Sequence, residues 1–374
     1  MQLSLALLIP LFSLSCGSPT KNSSNKWQTK PIQNANGLVT AGFRGLSVIS
    51  DRIVWVSGTK NSVYQTTDGG ASWNDLTITH KETFTNETGT YPVILDFRDI
   101  EAFSAHHAVA MAAGDGSENA SSVWHTKDGG KHWHKSRTPK NPIFYDSLAW
   151  ENKHHGLLLQ DPANATDGSM GLLETHDGGK SWREVTGTTG LEAKGQAAFA
   201  ASGTCIAFVA GRWYIVTGGS PDPSRVFRSW NGRNWKDANT SLVGDPDVEL
   251  GYSGYGMNSV AFRDHQVGLV VGGSFSTGAP ASKDNVAYTR NGGVNWTPSS
   301  SALLYRSAVS WLPGKGKLAV AAGQTGTNLS RDGGVTWEAL TDEQHNEFFA
   351  VQCIKGGICW ASGRKGAVGR IRIK

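Results

Sequence analysis

The sequence predicts an all-β chain that folds as a ring of seven four-stranded antiparallel sheets, a seven-bladed β-propeller. Three observations lead to this prediction: a turn phrase that returns six times, an apolar strand pair that returns seven times, and a composition rich in turn residues. The chain has 374 residues, of which 46 are Gly and 14 are Trp. Helical runs of Leu, Ala, Glu and Lys are missing beyond residue 15, so turns and short strands are expected.

The turn phrase has the spacing T-x-D-x-G-x-x-W. It occurs as TTDGGASW, TKDGGKHW, THDGGKSW, TRNGGVNW and SRDGGVTW, and in a shifted version as SWNGRNW. Asp or Asn can bond the backbone of its own turn, Gly permits positive φ, and Trp can pack back over the hairpin. We therefore expect a structural role for the acidic or amide residue of each phrase, namely Asp68, Asp128, Asp177, Asn291 and Asp332.

An apolar strand, a short turn and a strand of small residues precede each phrase. Seven such pairs follow one another at a period of about 40 to 60 residues, which is typical of propeller blades. They begin with FRGLSVIS, FRDIEAFS, FYDSLAWE, GQAAFAAS, NSVAFRDH, YRSAVSWL and FFAVQCIK. A four-stranded sheet with one hydrophobic face cannot bury that face alone, so radial stacking of the sheets is expected.

Seven strand pairs with six turn phrases leave one blade incomplete. The chain ends at AVGRIRIK, in the third strand of the seventh unit, and NKWQTKPIQ near the N-terminus can supply the fourth strand. Trp27 then takes the place of the turn Trp. This pairing closes the ring and leaves no free edge strand. We expect residues 27–374 to form one propeller domain.

The N-terminus indicates export. Residues 1–16 fit a signal peptide, because the apolar run from Leu3 to Leu14 is too short to span a bilayer. Residues 17–26 are expected to form a flexible linker. SLSC also fits a loose lipoprotein cleavage site. The alternative interpretation is therefore a lipid anchor on Cys16, which is the membrane attachment that the sequence suggests. The expected location is therefore secreted, periplasmic or at the cell surface.

Two cysteines, Cys353 and Cys359, lie in QCIKGGICW and are predicted to face each other across a hairpin. A disulfide is one interpretation, and it agrees with export. The alternative is two small buried residues in adjacent strands.

The recurring phrases are Asp-boxes, and the chain resembles the Asp-box β-propellers, which include sialidases, sortilin-type receptors and the photosystem II assembly-factor family. The pattern is most similar to that last family and its non-photosynthetic bacterial relatives, over residues 27–374. This resemblance implies a binding or assembly scaffold that grips a client protein through an arginine-rich patch, without a cofactor.

The first residues of the innermost strands are expected to surround the axial opening of the top face. Aligning the seven strands on their apolar positions places there Arg44, Arg98, Tyr145, Lys194, Met257, Arg306 and Phe348. The four basic members, Arg44, Arg98, Lys194 and Arg306, are our candidate ligand-binding residues. Converging guanidinium groups favour an anionic small molecule, a glycan or an acidic peptide. The alternative is that each arginine pairs with a nearby carboxylate.

Similarity to sialidases supplies the alternative function, a glycoside hydrolase or a carbohydrate-binding lectin. It implies an arginine triad of Arg44, Arg98 and Arg306. The nucleophile would be Tyr145 or Tyr305, and the acid would be Asp99 or Asp146. The chain departs from that pattern, because sialidases have six blades and FRGLS lacks their Arg-Ile-Pro segment. We therefore expect no catalytic residues and a binding protein.

Other ligand classes lack sequence support. The net charge of +4 is spread over both halves, so a nucleic-acid partner is not expected. No glycine-rich loop opens a helix, which argues against nucleotide binding. The histidine pairs His106-His107 and His154-His155 fall in turns and are interpreted as exposed residues, with no metal site. The protein is expected to be a monomer.

Overall fold

A computed structural model describes residues 26–35, 37–114, 120–140, 143–162, 168–193, 195–243, 254–275, 279–340 and 347–374. It confirms the all-β prediction, since seven sheets of four antiparallel strands form the molecule. The signal peptide, Cys16 and nearly all of the linker lie outside the described residues. No helix within the described ranges has the length and apolar character needed to cross a membrane.

Six blades take their strands in chain order, from the innermost to the outermost. Blades 1 to 3 contain Phe43–Val48, Val54–Gly58, Val63–Thr66 and Asn74–Asp75; Phe97–Ala102, Ala108–Ala112, Ser122–Thr126 and His134–Lys135; and Tyr145–Trp150, Gly156–Gln160, Gly171–Thr175 and Arg183–Glu184. Blades 4 to 6 contain Ile206–Val209, Arg212–Val216, Pro223–Ser229 and Trp235–Val243; Tyr255–Phe262, Gly268–Ser274, Val286–Thr289 and Thr297–Pro298; and Ala308–Trp311, Ala319–Gly323, Gly326–Ser330 and Glu338–Ala339.

Blade 7 joins the two ends of the chain. Its strands are Phe348–Ile354, Ile358–Gly363, Ala367–Arg372 and the N-terminal strand Gln28–Pro31. Within the described ranges, two short hairpins and a 3₁₀ turn lie outside the blades: Gln33–Asn34 with Gly37–Leu38, Thr83–Asn86 with Gly89–Pro92, and Lys283–Asn285.

The predicted ring closure is confirmed. Gln28 pairs with Arg370 and Pro31 pairs with Ala367 in antiparallel register. Trp27 is buried beside this strand, with its ring centroid 5.0 Å from that of Phe348. Its indole N–H donates a hydrogen bond of 3.0 Å to Thr327 in blade 6. One aromatic side chain therefore ties the first strand both to its own blade and to the neighbouring one.

The recurring turn phrases are held by their own side chains. In blade 2, Thr126 Oγ1 donates to Asp128 Oδ1 at 2.9 Å, and the N–H of Gly130 donates to Thr126 Oγ1 at 3.0 Å. Asp128 Oδ1 also accepts the N–H of His132 at 3.0 Å. Corresponding bonds surround Asp68, Asp177, Asn291 and Asp332. The regular acidic residues of the sequence thus hold turns.

Blade 4 differs from the prediction. The strand pattern placed its first two strands within residues 195–211, but the first strand is Ile206–Val209 and the second is Arg212–Val216. Ala210 and Gly211 form the two-residue turn between them, with φ of 51° and 80°. Positive φ at both central positions matches the twist of a tight hairpin. The segment before Ile206 therefore contributes no strand to this sheet, and Ala197 makes only an isolated antiparallel bridge with Gly218.

Hydrogen bonds join neighbouring blades around the axis, where first strands contact each other at every seam. At six seams, a backbone N–H of one blade donates to an acceptor in the blade before it or in the segment that leads into that blade, over 2.6 to 3.1 Å. The pairs are Val48 to Gln352 Oε1, Ala102 to Ser47 Oγ, Leu148 to Asp99 Oδ2, Val260 to the carbonyl of Thr204, Val309 to Ser259 Oγ, and Cys353 to Ser310 Oγ.

The cysteines occupy buried positions. Cys353 and Cys359 are cross-strand partners in blade 7 and form a disulfide with an S–S distance of 2.03 Å. Cys205 is a buried free thiol next to the first strand of blade 4.

Replacing Trp27 tests the ring closure. We expect Trp27→Ala to lower the free energy of unfolding by about 3 kcal/mol, because a buried indole and its hydrogen bond are removed. Trp230→Ala is the control, since Trp230 is 63% exposed; its loss should be about 1 kcal/mol or less. Chemical denaturation of both variants measures the difference. Equal losses would contradict the account of closure.

Candidate functional site

A β-bulge near the start of the first strand sets which side chains reach the axial opening. In five blades the strand register shifts there by one residue, so one side chain is left unpaired and re-aimed. The unpaired residues are Arg44, Arg98, Asp146, Asn258 and Phe349.

This register corrects part of the predicted ring. Tyr145, Met257 and Phe348 each lie one residue before the bulge and are fully buried in the core. A shift of one residue moves a strand side chain to the opposite face. The alignment on apolar positions matched these residues to Arg44 and Arg98, although their true counterparts are Asp146, Asn258 and Phe349.

Arg44 is half-buried and packs on an aromatic ring of blade 7. Its guanidinium carbon is 4.2 Å from the ring centroid of Phe349, and its Nη1 donates to the carbonyl of Ala201 at 3.3 Å. Burial, followed by the positive charge of Arg98, lowers the pKa of Arg44. Among the described residues, no carboxylate lies within 4.0 Å of its guanidinium. Arg44 is therefore a half-buried cation that lacks a counter-charge in direct contact.

Arg98 and Arg364 flank Arg44. Arg98 pairs with Asp96 at 2.8 Å and lies 5.6 Å from the ring centroid of Phe144. Arg364 is 3.8 Å from a carboxylate oxygen of Glu347 and 5.9 Å from the ring centroid of Phe349. We call Arg44, Arg98 and Arg364 the arginine cluster. Arg364 was not predicted from the sequence, because it lies in the turn that follows a second strand and not at a strand start.

The two other basic candidates are not seen in this cluster. Arg306 is 5% exposed, and its guanidinium donates to Asn328, to the carbonyl of Tyr305 and to Thr325. These bonds hold it inside blade 6. Lys194 lies outside the described residues.

The residues considered for a glycosidase are buried. Tyr145 is 0% exposed and Tyr305 is 6% exposed, and burial raises the pKa of each to about 12. Asp146 is 0% exposed, and burial together with the charge of Asp161 raises its pKa. With Arg306 bonded within its own blade, the geometry does not present an arginine triad beside an accessible tyrosine.

Residues 199–204 cross the axis, and we call them the crossing segment. They touch four blades on opposite sides of the ring. The carbonyl of Ala201 accepts from Arg44 in blade 1, and Gly203 packs against Asp99 in blade 2. Thr204 Oγ1 donates to Ser259 in blade 5 at 2.8 Å, and Ser202 Oγ donates to the carbonyl of Ser307 in blade 6 at 2.7 Å. The crossing segment thus divides the axial space into two compartments.

A cavity of about 500 Å³ lies in the second compartment, where the first strands end. Its apolar walls include Leu46, Ile100, Val260, Val309 and Val351.

Two carboxyl groups, Asp99 and Glu101, also line this cavity. Burial raises the pKa of Asp99 to about 7, against the opposing effect of hydrogen bonds from Leu148 and Ser147. Burial, and then the charge of Asp99, raises the pKa of Glu101 to about 8. The arginine cluster is therefore cationic, whereas this pair consists of two acids that burial keeps partly protonated near pH 7.

A histidine cluster lies on the outer side of blade 3. Ligand atoms of His155, Glu174 and His176 lie within 4.8 Å of one another. Glu174 accepts from Arg183 at 3.3 Å and from Arg233 at 3.1 Å, and these positive charges disfavour a cation there.

Known structures share this fold. One is described as YCF48 bound to D1 peptide, with a TM-score of 0.61 and 16% identity over 93% of this chain and 97% of that chain. YCF48 from Cyanidioschyzon merolae gives 0.58 and 14% over 92% and 98%. A streptogramin B lyase gives 0.58 and 10% over 94% and 99%. No family model and no curated protein sequence matches the chain. The likeness is one of fold.

A glycine substitution tests the crossing segment. Gly203 has φ of 69°, and a Cβ there would lie 2.3 Å from Asp99 Oδ1. Gly187 has nearly the same φ, 71°, with nothing within 4 Å of the added atom. We expect Gly187→Ala to cost about 1 kcal/mol through backbone strain alone. Gly203→Ala should lower the free energy of unfolding by clearly more, as measured by chemical denaturation. Equal costs would mean that the segment does not pack across the axis.

Proposed function

We propose that this chain is a binding scaffold that holds an acidic peptide segment of a client protein at the arginine cluster. The observation that carries the proposal is Arg44, a half-buried guanidinium on the ring of Phe349 with no carboxylate in direct contact among the described residues. Placing a cation there is costly, because burial and Arg98 both oppose its charge. A carboxylate from a partner would relieve that cost.

The surroundings favour a peptide over a small anion. Asp96 and Glu347 already neutralise part of the charge of Arg98 and Arg364, so the cluster offers room for one or two carboxylates. Phe275 lies 6.4 Å from Tyr305 between ring centroids and is 55% exposed. An exposed aromatic side chain beside a cationic opening can take an apolar residue of the same peptide.

The comparison with YCF48 supports a protein client, since that propeller was solved with a D1 peptide bound. At 16% identity the likeness is one of fold, so the residues that contact a client must be those of this chain itself. Arg44, Arg98 and Arg364 supply them here through charge-assisted hydrogen bonds, which are shorter and stronger than neutral ones.

We also propose that the protein is exported to an oxidising compartment. The apolar run from Leu3 to Leu14 and the disulfide between Cys353 and Cys359 both support it. Mass spectrometry of the mature protein would show whether the signal peptide is cleaved to leave an unmodified N-terminus or whether Cys16 carries a lipid. An intact N-terminal Met1 would contradict export by this route.

Peptide binding tests the function. We expect fluorescence anisotropy to detect binding of labelled ten-residue peptides that combine two or three carboxylates with one Leu or Phe. Peptides with Asn and Gln in place of the acids should bind about tenfold more weakly, because the charge-assisted bonds are lost. Binding should also weaken as ionic strength rises.

Variants locate the binding. Arg44→Ala combined with Arg98→Ala should lower the affinity at least about tenfold. Arg44→Lys keeps the charge but loses the planar fork, so we expect an intermediate loss. Arg331→Ala is the matched control, because Arg331 pairs with Glu338 on the outer side of blade 6. An equal loss of peptide affinity in the control would contradict the proposal. Turnover of a fluorogenic sialoside by the unchanged chain, abolished by the double substitution, would contradict it as well.

A further inference from the structure

The axial cavity beyond the crossing segment is a separate feature from the arginine cluster. Arg98 and Glu101 lie three residues apart on one strand, which corresponds to about 10 Å along its axis. The residues that line the cavity come from the later halves of first strands and from the turns that follow, such as Pro313 and Gly314. It therefore faces the end of the axis opposite to the peptide site.

The charged side chains that line this cavity, among the described residues, are Asp99, Glu101 and Arg263. Arg263 already pairs with Asp264 at 3.0 Å and donates to the carbonyl of Gly316 at 3.2 Å. Its charge is thus compensated at the rim. No Lys, Arg or His nitrogen of the described chain lies within 4.0 Å of the Asp99 or Glu101 carboxyl oxygens. Two acids therefore share one cavity without a cation of their own.

The fold does not require charge at these positions. Asp99 Oδ2 accepts the N–H of Leu148 at a blade seam. At other seams the same task falls to neutral acceptors, namely Ser47, Ser259, Ser310, Gln352 and the carbonyl of Thr204. A neutral group would therefore serve the seam between blades 2 and 3 equally well. The hydroxyl of Ser47 is the partner of Glu101, at 3.5 Å, which is a weak bond.

Gly203 keeps the Asp99 carboxyl uncovered by a side chain. A Cβ at this position would lie 2.3 Å from Asp99 Oδ1, and Gly203 itself borders the cavity. The backbone of the crossing segment thus approaches the carboxyl closely and places no competing group on it.

We propose that this cavity binds a small aliphatic amine in its ammonium form, held by Asp99 and Glu101, with its carbon chain against the apolar side chains of the lining. A volume of about 500 Å³ is far larger than a metal ion needs, and two carboxyl groups fall short of the six to eight oxygen ligands of Ca²⁺. Apolar walls with a few polar groups are typical of sites for organic ligands.

Binding of an ammonium group should change the protonation state of the cavity. Glu101 has a pKa raised to about 8, so at pH 7 it is mostly protonated when the cavity holds no cation. An ammonium favours the ionised carboxylate, and binding therefore releases a proton. Aliphatic amines remain protonated up to about pH 10. Affinity should consequently rise between pH 6 and pH 9.

Isothermal titration calorimetry of the full chain with 1,4-diaminobutane tests the proposal, with 1,4-butanediol as the neutral probe of similar size. We expect the diamine alone to bind, with a measured enthalpy that changes with the ionisation enthalpy of the buffer. The affinity should increase between pH 6 and pH 9. Absence of binding across that range, or equal binding of the diol, would overturn the proposal.

Variants assign the binding to the cavity. Glu101→Gln should weaken the diamine at least about tenfold and remove most of the proton release. Glu338→Gln is the control, because that exposed carboxylate pairs with Arg331 far from the axis; it should bind as the unchanged chain does. If Glu101→Gln fails to fold, Asp99→Asn keeps an acceptor for the N–H of Leu148, removes the second carboxyl group and should weaken the diamine at least about tenfold. Undiminished binding in either folded variant would refute the site.

Discussion

Closure of the ring is the constraint on which the rest of this structure depends. Blade 7 takes its fourth strand, Gln28–Pro31, from the opposite end of the chain. A ring of sheets joined in this way leaves only the outermost strand of each blade as an edge and holds every first strand at a fixed place around the axis. The hydrogen bonds across the seams, such as that from Val48 to Gln352, then fix how far neighbouring strands are offset from one another.

That offset gives the axis its polarity. Arg44 and Arg98 occupy bulges where first strands begin, whereas Glu101 lies further along the same strand as Arg98. The crossing segment stands between the two ends, so a cationic opening and an acidic cavity coexist in one molecule with little direct neutralisation. Because the arginines do not contact Asp99 and Glu101 directly, the two carboxyl groups stay partly protonated near pH 7 and can ionise when a cation binds.

The fold could be predicted because its signals are local and repeated. Turn chemistry such as that of Thr126 and Asp128 acts within five residues, and it recurs in each unit. The candidate site was harder to predict from the sequence, because a β-bulge shifts the strand register and no distinctive residue type marks its position. Apolar alignment therefore matched Tyr145 to Arg44, when Asp146 is the true counterpart. Residues 195–204 were mistaken for a strand, since GQAAFA has a strand-like composition and the contacts that place the crossing segment, such as that of Ser202 with Ser307, are distant in sequence.

Hydrogen exchange of the N-terminal strand measures the central claim most directly. If residues 28–31 complete blade 7, the backbone amides of this strand that donate to Ala367–Arg370 should exchange as slowly as those of the partner strand, and both should be released in one cooperative step. Rapid exchange of these bonded amides, while residues 367–370 remain protected, would contradict a ring closed by the two ends of the chain.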